Sequence, residues 1–388
     1  MIPYGRQEIL EEDIIEVEKV LRSDFLTQGP VVPKFEKKVS NFCGANYAIA
    51  VNSATSALHI ACLALNLGPG DWLWTSPNTF VASANCGLYC GASIDFVDID
   101  PKTYNMSISN LSDKLIKADK LGKLPKVVIP VHFAGQPCDM LAIHKLSKKY
   151  KFKVIEDASH AIGARYDKIK VGSCKHSDIT IFSFHPVKIV TTGEGGMALT
   201  NDLKISNKMR RLSAHGITRN KKMMQLRPKS EIWNYQQIEL GYNYRMTDIQ
   251  AALGLSQLKR LKEYVKKRHE IAIRYNNELS GLPVILPFQS SNTYSSYHLY
   301  PIRIKQRSNN KTQKQIYAAL WERNIGANLL YIPVHRHPYY ENLGFKKEDF
   351  PVAEQFHREV ICLPMFPKLK DKQQNSVVKS LKLILNSK

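Results

Sequence analysis

The sequence lacks the features that mark disulfide-rich, zinc-binding and membrane-spanning proteins. Its 388 residues include only seven cysteines, an odd number without a C-x-x-C pair, so we expect reduced thiols and no metal site. The first residues form no apolar signal-peptide segment. The most apolar stretch, residues 47–67, is interrupted by asparagine, serine, threonine and histidine, which argues against a membrane span. These absences predict a cytoplasmic protein with no membrane partner.

Acidic residues are also few. The 34 aspartates and glutamates stand against 55 lysines and arginines, which gives a net charge of +21. Such a balance can indicate nucleic acid, an anionic surface or an anionic small substrate. The lysines are spread along the whole chain, however, and no basic motif interleaved with aromatic residues is present. We therefore expect no nucleic-acid partner, and interpret the charge as a solvated lysine-rich surface that would also attract a diphosphate-bearing substrate.

Short apolar segments alternate with helical patterns over the first two-thirds of the chain. This alternation predicts an α/β fold with a mainly parallel sheet covered on both faces. The strands are expected at residues 47–51, 72–75, 94–97, 127–131, 153–156, 179–184 and 197–200.

The last third has a different pattern. A long helical pattern over about 247–279 is expected to bridge into a small α+β domain, with a strand at 299–304 and a last helix at 375–385. The expected domains are a large one over 1–255 and a small one over 256–388, sizes that a chain of this length supports.

Two residues carry most of the chemistry. Asp157 ends one apolar strand, and Lys188 follows another and precedes a glycine-rich loop. In a parallel sheet, ligands bind beyond the carboxyl ends of the strands. An amine that forms a Schiff base with an aldehyde, and a carboxylate that keeps a pyridine nitrogen protonated, are what a pyridoxal phosphate enzyme needs. A lysine before such a loop is more often a surface residue, so the combination with Asp157 is what indicates function.

Other residues fit the same site, each with an ordinary alternative. The 52–58 segment begins a helix whose free N–H groups could bind phosphate, although serine and threonine are also common N-caps. Ser183 could add a hydroxyl. His160 could orient Asp157 or lie near the ring hydroxyl, or be a core histidine; Phe80 could stack on a planar ring or pack in the core. The polar segment 241–245 suggests contact with a ligand or a second subunit.

These motifs together resemble the DegT/DnrJ/EryC1/StrS sugar aminotransferases over essentially the whole chain. The motifs that carry the resemblance are Leu26-Thr27-Gln28-Gly29, residues 52–58, Asp157-Ala158-Ser159-His160-Ala161, residues 182–188, Glu194-Gly195-Gly196 and residues 240–245. The resemblance implies a pyridoxal-phosphate-dependent transferase of fold type I, the aspartate-aminotransferase-like fold, in the EC 2.6.1 class. It also implies a homodimer with shared active sites.

The resemblance further implies a role at individual positions. The implied catalytic residues are Lys188, Asp157 and His160. The implied cofactor-binding residues are Ala54, Thr55, Phe80, Asp157, Ser183, Lys188 and, reaching in from the other subunit, Asn243. The implied contacts on the sugar-nucleotide side are Tyr4, His185, Arg245 and His335.

The implied reaction moves an amino group from L-glutamate, through pyridoxamine phosphate, to C4 of a UDP-linked 4-keto-6-deoxy-N-acetylhexosamine, as in pseudaminic acid biosynthesis. His160 favours this branch, because many relatives have glutamine there. A dTDP- or GDP-linked keto sugar is the alternative, and residues 218–239, longer and more basic than this branch leads us to expect, leave the sugar open. Lys188 argues against the dehydratases of the family, which have histidine at that position. A non-catalytic basic binding protein on the same fold is an alternative of another class.

Overall fold

The computed structural model describes residues 1–226, 228, 230–231, 234–305 and 311–386. The helices in these ranges are α1 (Glu11–Leu21), α2 (Val31–Cys43), α3 (Ala54–Ala64), α4 (Ala82–Tyr89), α5 (Ile108–Lys120), α6 (Met140–Tyr150), α7 (Leu203–Leu212), α8 (Asp248–Leu258), α9 (Leu261–Leu279), α10 (Gln313–Glu322), α11 (Pro338–Glu341), α12 (Pro351–Glu359) and α13 (Asp371–Asn386). The strands are β1 (Tyr47–Val51), β2 (Trp72–Thr75), β3 (Ser93–Phe96), β4 (Val127–Ile129), β5 (Lys153–Asp157), β6 (Arg165–Tyr166), β7 (Ile169–Lys170), β8 (Ile179–Ser183), β9 (Gly196–Thr200), β10 (Ile217–Thr218), β11 (Gln236–Gln237), β12 (Val284–Ile285), β13 (Thr293–Tyr294), β14 (Tyr300–Ile304) and β15 (Val360–Leu363).

The predicted sheet is present and mainly parallel. Its strand order is β1-β9-β8-β5-β4-β2-β3. The pairs from β8 through to β3 are parallel, and β9 runs antiparallel to both β8 and β1. Apart from the exposed Lys153 at the start of β5, the central strands are buried, and they are rich in valine and isoleucine, as expected for a sheet with both faces covered. The predicted strands lie within two residues of the observed ones; β4 stops before Pro130, which has no N–H to donate.

The single helix predicted over about 247–279 is wrong, because the structure has two helices there. Thr247 caps α8 and exchanges hydrogen bonds with Gln250. The last turn then tightens: the Lys259 and Arg260 N–H groups bond three residues back, a pattern that ends a helix. The Arg260 guanidinium is held by the buried Asp13 carboxylate at 2.6 and 2.7 Å, which fixes the break.

The C-terminal part has its own sheet and core. The strands β12, β14 and β15 form a three-stranded antiparallel sheet, and β14 and α13 correspond to the strand and last helix predicted there. A separate apolar cluster joins α9, β14, α10, β15 and α13. This cluster is consistent with the small domain, while the boundary at 255/256 stays a prediction.

The structure also bears on membrane-spanning helices, on metal sites and on the basic stretch 218–239. No helix in the described ranges is long and apolar enough to cross a bilayer, and those ranges contain no metal-binding group of three or more His, Cys, Asp or Glu. The 218–239 stretch begins and ends in the antiparallel pair of β10 and β11. Within it, positions 227, 229, 232 and 233 lie outside the described residues.

Candidate active site

A cavity of about 820 Å³ opens at the carboxyl ends of β5 and β8. This is the edge of the sheet where the sequence places the site. The cavity brings together most of the predicted residues: Tyr4, Ala54, Thr55, Phe80, Asp157, His160, Ser183, His185 and Lys188.

Asp157 is the last residue of β5, where it pairs with Ile181 of β8. Its carboxylate is buried and accepts two hydrogen bonds, from Ser83 Oγ to Oδ2 at 2.6 Å and from the Ser159 N–H to Oδ1 at 3.0 Å. The Ser83 hydroxyl also lies 2.8 Å from Thr79 Oγ1. A buried carboxylate without a cation costs free energy, so these donors stabilise an anion prepared for a cationic partner in the cavity.

Lys188 lies in the turn that follows β8, where its N–H donates to the His185 carbonyl at 2.9 Å. Burial lowers the pKa of the Lys188 amine to about 8, and the negative charge of Asp157 partly opposes that shift. An amine with this pKa is in part uncharged near neutral pH, which is the state that attacks an aldehyde.

The N-terminus of α3 provides free backbone donors. Ser53 is the N-cap; its hydroxyl accepts from the Ser56 N–H and its carbonyl from the Ala57 N–H, both at 3.1 Å. The amides of the first two helical residues, Ala54 and Thr55, have no intrahelical acceptor and no other partner in the described part of the chain, so they are available to a ligand. Free N–H groups and the positive end of the helix dipole bind phosphate well.

Gly196 allows this helix end to approach the sheet. A Cβ on Gly196 would lie 2.4 Å from the Ser53 carbonyl atoms and 2.5 Å from the Ala54 nitrogen. Gly196 pairs with Ser183 across β8 and β9, so the Ser183 hydroxyl lies beside the same helix end. The glycine is therefore required for the close packing that completes this part of the cavity.

His160 contacts Tyr331, a residue that the sequence did not indicate. Its Nε2 is 3.1 Å from the Tyr331 hydroxyl, and its Nδ1 is buried without a hydrogen-bond partner among the described residues. Burial, reinforced by the charge of Lys188, lowers the pKa of His160 well below its usual value. The imidazole is therefore neutral, with one nitrogen paired and one available to a ligand.

The residues around the cavity fit pyridoxal phosphate. A buried carboxylate, a lysine with a lowered pKa and an open helix N-terminus match its ring nitrogen, aldehyde and phosphate. Phe80 is 59% exposed, so its ring is free to stack on another. The unpartnered His160 Nδ1 leaves one hydrogen bond for a polar atom on the ring.

The structure also locates the predicted sugar-side residues. Tyr4 lines the cavity, and its carbonyl is held by the Met365 N–H at 2.9 Å. His185 lies at the cavity with its Nε2 3.9 Å from a Glu194 carboxylate oxygen. Both are available to a substrate larger than the cofactor.

His335 requires a correction, because the structure does not bring it to this cavity. It is fully buried, packs against the Phe350 ring at 4.8 Å between centroids and lies 3.4 Å from Glu354. It follows Pro333 in a short 3₁₀ turn that directs the side chain into the protein core.

Asn243 and Arg245 are also not among the described residues that line the cavity of their own chain. Asn243 is exposed and bridges to Ala214. Arg245 Nη2 is 3.5 Å from His215 Nε2. This placement is compatible with a role in the active site of a second subunit, which stays a prediction.

Sequence reasoning missed three residues of the site. Ser83 holds Asp157, Tyr331 contacts His160, and His298 lies at 4.4 Å from His160 between ring centroids. Each comes from a segment distant in sequence, and none belongs to a recognisable motif. These three residues are identified only by the tertiary contacts that join distant segments of the chain.

The comparisons agree with this geometry. Residues 7–382 match the model of the DegT/DnrJ/EryC1/StrS aminotransferase family. The chain is 39% identical to the spore coat polysaccharide biosynthesis protein SpsC of Bacillus subtilis, over 99% of this chain and 97% of that one. It is 34% identical to the UDP-4-amino-4,6-dideoxy-N-acetyl-beta-L-altrosamine transaminase of Campylobacter jejuni, over 99% and 98%. Among solved structures, Spr1654 of Streptococcus pneumoniae, proposed to be a sugar aminotransferase and solved in its pyridoxamine phosphate form, is 29% identical, with a TM-score of 0.89 over 99% of both chains. The predicted fold type and cofactor are confirmed.

Proposed function

Because the chain belongs to the DegT/DnrJ/EryC1/StrS aminotransferase family, we propose that it transfers an amino group from L-glutamate to C4 of a UDP-linked 4-keto-6-deoxy-N-acetylhexosamine, in a pathway of the pseudaminic acid type. The observation that carries the proposal is the convergence of Lys188, Asp157 and the open N-terminus of α3 on one cavity. An amine, a buried carboxylate and a phosphate-binding helix end are the three groups this chemistry needs.

Each residue has a defined task. Pyridoxal phosphate, when bound, supplies an electron sink and carries the amino group between donor and acceptor. Asp157 would keep the ring nitrogen protonated. The free amine of Lys188 would take the proton from Cα of the amino donor and deliver it to C4′ of the cofactor, acting as general base and then as general acid. The same two steps in reverse would serve the keto sugar.

The choice of sugar rests on one named relative and on His160. The named Campylobacter jejuni relative acts on a UDP-linked amino sugar of this kind, and His160 is the residue that favours this branch. The more similar Bacillus subtilis protein has a name that specifies no sugar. A dTDP- or GDP-linked keto sugar is therefore the second candidate. The presence of Lys188, Asp157 and Ser183 around one cavity argues against a role as a non-catalytic binding protein.

The enzyme is further proposed to work as a homodimer in the cytoplasm. The exposed Asn243 would complete the phosphate site of the partner subunit. Seven cysteines in the described residues are free thiols, as is usual in a reducing compartment.

A single-turnover assay tests the proposal. The purified protein is loaded with pyridoxamine phosphate and mixed with UDP-4-keto-6-deoxy-L-arabino-N-acetylhexosamine, while visible absorbance and product mass are followed. Return of the pyridoxal form together with a UDP-amino sugar is the expected result. Reaction only with a dTDP- or GDP-linked keto sugar would replace the UDP assignment, and amino transfer to none of the three sugars would overturn the function.

A further inference from the structure

Tyr331 contacts both aromatic side chains that are predicted to adjoin the cofactor ring. Its hydroxyl oxygen lies 3.1 Å from His160 Nε2. The Tyr331 and His160 rings are nearly parallel, at 16° with centroids 6.2 Å apart. The Tyr331 ring also lies 6.3 Å from the Phe80 ring and 6.4 Å from that of Phe133. Packing on these sides holds the tyrosine in place, so its hydroxyl is aimed at one atom of His160.

Protonation decides which atom donates in this hydrogen bond. Burial raises the pKa of Tyr331, so its phenol keeps the proton. Burial and the Lys188 charge lower the pKa of His160, so its neutral ring carries a single N–H. A phenol oxygen shares its lone pair with the ring, which makes the hydroxyl a better donor than acceptor. On this ground Tyr331 is taken as the donor to Nε2, which places the proton of His160 on Nδ1.

The Nδ1–H group then needs an acceptor. It is buried and has no hydrogen-bond partner in the described part of the chain, and an unpaired buried donor is costly. His160 lines the cavity, so the acceptor can come from a ligand there. The ionised ring oxygen of pyridoxal phosphate has the required chemistry.

The other titratable groups around the pair do not supply that acceptor. His298, whose ring centroid is 4.4 Å from that of His160, is kept neutral because burial, and then His160 and Lys188, lower its pKa well below the usual value. A neutral imidazole has an acceptor nitrogen, but His160 Nδ1 bonds to neither nitrogen of His298, and His298 Nδ1 is itself without a hydrogen-bond partner among the described residues. The Lys188 amine only donates when charged. The negative charge of Asp157 acts on Tyr331 and adds to the burial effect that keeps it protonated.

We propose that Tyr331 is a positioning residue that holds His160 in the Nδ1-protonated tautomer, as a hydrogen-bond donor to the ring oxygen of the cofactor. The inference rests on the proposed function, in that it takes the cofactor ring to lie beside His160. Tyr331 acts through His160 and takes no part in proton transfer itself.

The first test is Tyr331→Phe, which removes the hydroxyl and keeps the ring that packs against Phe80. Without the hydroxyl, Nε2 competes for the proton, and Nδ1 would then turn a lone pair towards the anionic oxygen. The oxygen is less stabilised and the neighbouring cofactor nitrogen holds its proton more tightly. The visible absorbance of the bound cofactor changes as this nitrogen loses its proton. We expect the pH at the midpoint of that change to rise by about 0.5–1 pH unit, which corresponds to the free energy of one lost hydrogen bond. An unchanged midpoint in a folded variant would overturn the proposal.

Tyr340→Phe is the matched control. Its hydroxyl donates to Asn85 Oδ1 at 2.6 Å, so the variant also loses one tyrosine hydrogen bond, but outside the cavity. The absorbance midpoint of the control should stay at the wild-type value.

A double-mutant cycle tests whether Tyr331 acts through His160. In the wild-type background, Tyr331→Phe should weaken cofactor retention about 3–10-fold by equilibrium dialysis. In a His160→Ala background the same change should have less than about a twofold effect. An equal effect in both backgrounds would mean that Tyr331 contacts the ligand by itself, and would sink the positioning role.

Nitrogen-15 NMR of histidine-labelled, cofactor-free protein provides a readout that needs no catalysis. The His160 signals should report a protonated Nδ1 and an unprotonated Nε2, and Tyr331→Phe should move both towards a mixture of tautomers. A protonated Nε2 in the wild type would reverse the direction of the bond and contradict the proposal. None of these measurements uses a sugar, so failure here is distinct from failure of the proposed transamination.

Discussion

Ser83 on α4 donates a 2.6 Å hydrogen bond to Oδ2 of Asp157 at the end of β5. The two residues are 74 positions apart in sequence, and the bond joins the helix that follows β2 to the strand that carries the carboxylate. Because Ser159 occupies the other carboxylate oxygen, both oxygens are fixed. The orientation of the anion is therefore set by the protein before any ligand binds, which is the arrangement that preorganised sites require.

Replacing Ser83 with alanine should weaken cofactor binding. One carboxylate oxygen loses the only side-chain donor it has among the described residues, and a hydrogen bond to a charged group contributes about 1.5–3 kcal/mol. Part of that free energy contributes to cofactor binding, because the carboxylate would be less well oriented. We therefore expect the dissociation constant of the cofactor to rise on the order of tenfold, measured by fluorescence titration. Ser177→Ala is the control, because Ser177 bonds Glu156 on the opposite face of β5. Equal weakening in both variants would attribute the effect to general loss of stability.

Replacing Gly196 with alanine should disturb the phosphate site. The new Cβ would meet the Ser53 and Ala54 backbone at 2.4–2.5 Å, and backbone atoms cannot move aside as a flexible side chain can. Overpacking of this kind costs about 1–3 kcal/mol of folding stability and should displace the N–H groups of Ala54 and Thr55. We expect a lower melting temperature and a loss of cofactor affinity.

Gly68→Ala provides the comparison for that variant, since no atom lies within 4 Å of its added Cβ. Thermal unfolding with and without pyridoxal phosphate separates the two effects, because a bound ligand stabilises only a protein that can hold it. Cofactor-dependent stabilisation of Gly196→Ala equal to that of Gly68→Ala would contradict the role given to Gly196.

The sequence was sufficient to predict the sheet and the convergence of Asp157 and Lys188 on one cavity, and the reason is local. Strands such as β5 and β8 are short runs of apolar, β-branched residues, and parallel strands bring their carboxyl ends to one edge. Asp157 ends β5, and Lys188 lies in the turn that follows β8. The order of the strands in the sheet is therefore enough to predict that the two side chains lie close together.

The parts that could not be predicted depend on distant segments or on tertiary contacts. Tyr331 reaches His160 across 171 positions, and no periodic pattern encodes that contact. The break between α8 and α9 depends on the ion pair between Arg260 and Asp13, while the apolar stripe continues through it. His335 begins the polar run His335-Arg336-His337, yet the turn after Pro333 buries its side chain.

Replacing Lys188 with alanine should separate binding from turnover. Asp157, Ser183 and the helix end remain to hold the cofactor, but the proton at Cα of the amino donor loses its base. Turnover should fall by about 10²–10⁴-fold or more, while non-covalent cofactor binding is partly kept. Steady-state rates together with equilibrium dialysis make the measurement, and full activity in this variant would refute the assignment of Lys188.

The pH dependence of cofactor capture tests the electrostatics around Lys188. In the cofactor-free protein the pKa of its amine is about 8, lowered by burial and raised again in part by Asp157. Below pH 8 most of the amine is charged and unreactive; above pH 8 most of it is neutral and able to attack the aldehyde. The rate of covalent pyridoxal phosphate attachment, followed by its visible band, should therefore rise through about pH 8 and then level off.

Asp157→Asn provides the decisive comparison, because it removes the one opposite charge that favours the protonated amine. The loss of that attraction leaves burial unopposed, so the pKa of Lys188 must fall and the midpoint of the rate profile must move below pH 8. Asp95→Asn makes the same change of net charge beside Lys114, outside the cavity, and should leave the midpoint unmoved. A midpoint that stays near the ordinary lysine value, or that rises in Asp157→Asn, would mean that the amine is not buried beside this carboxylate in solution.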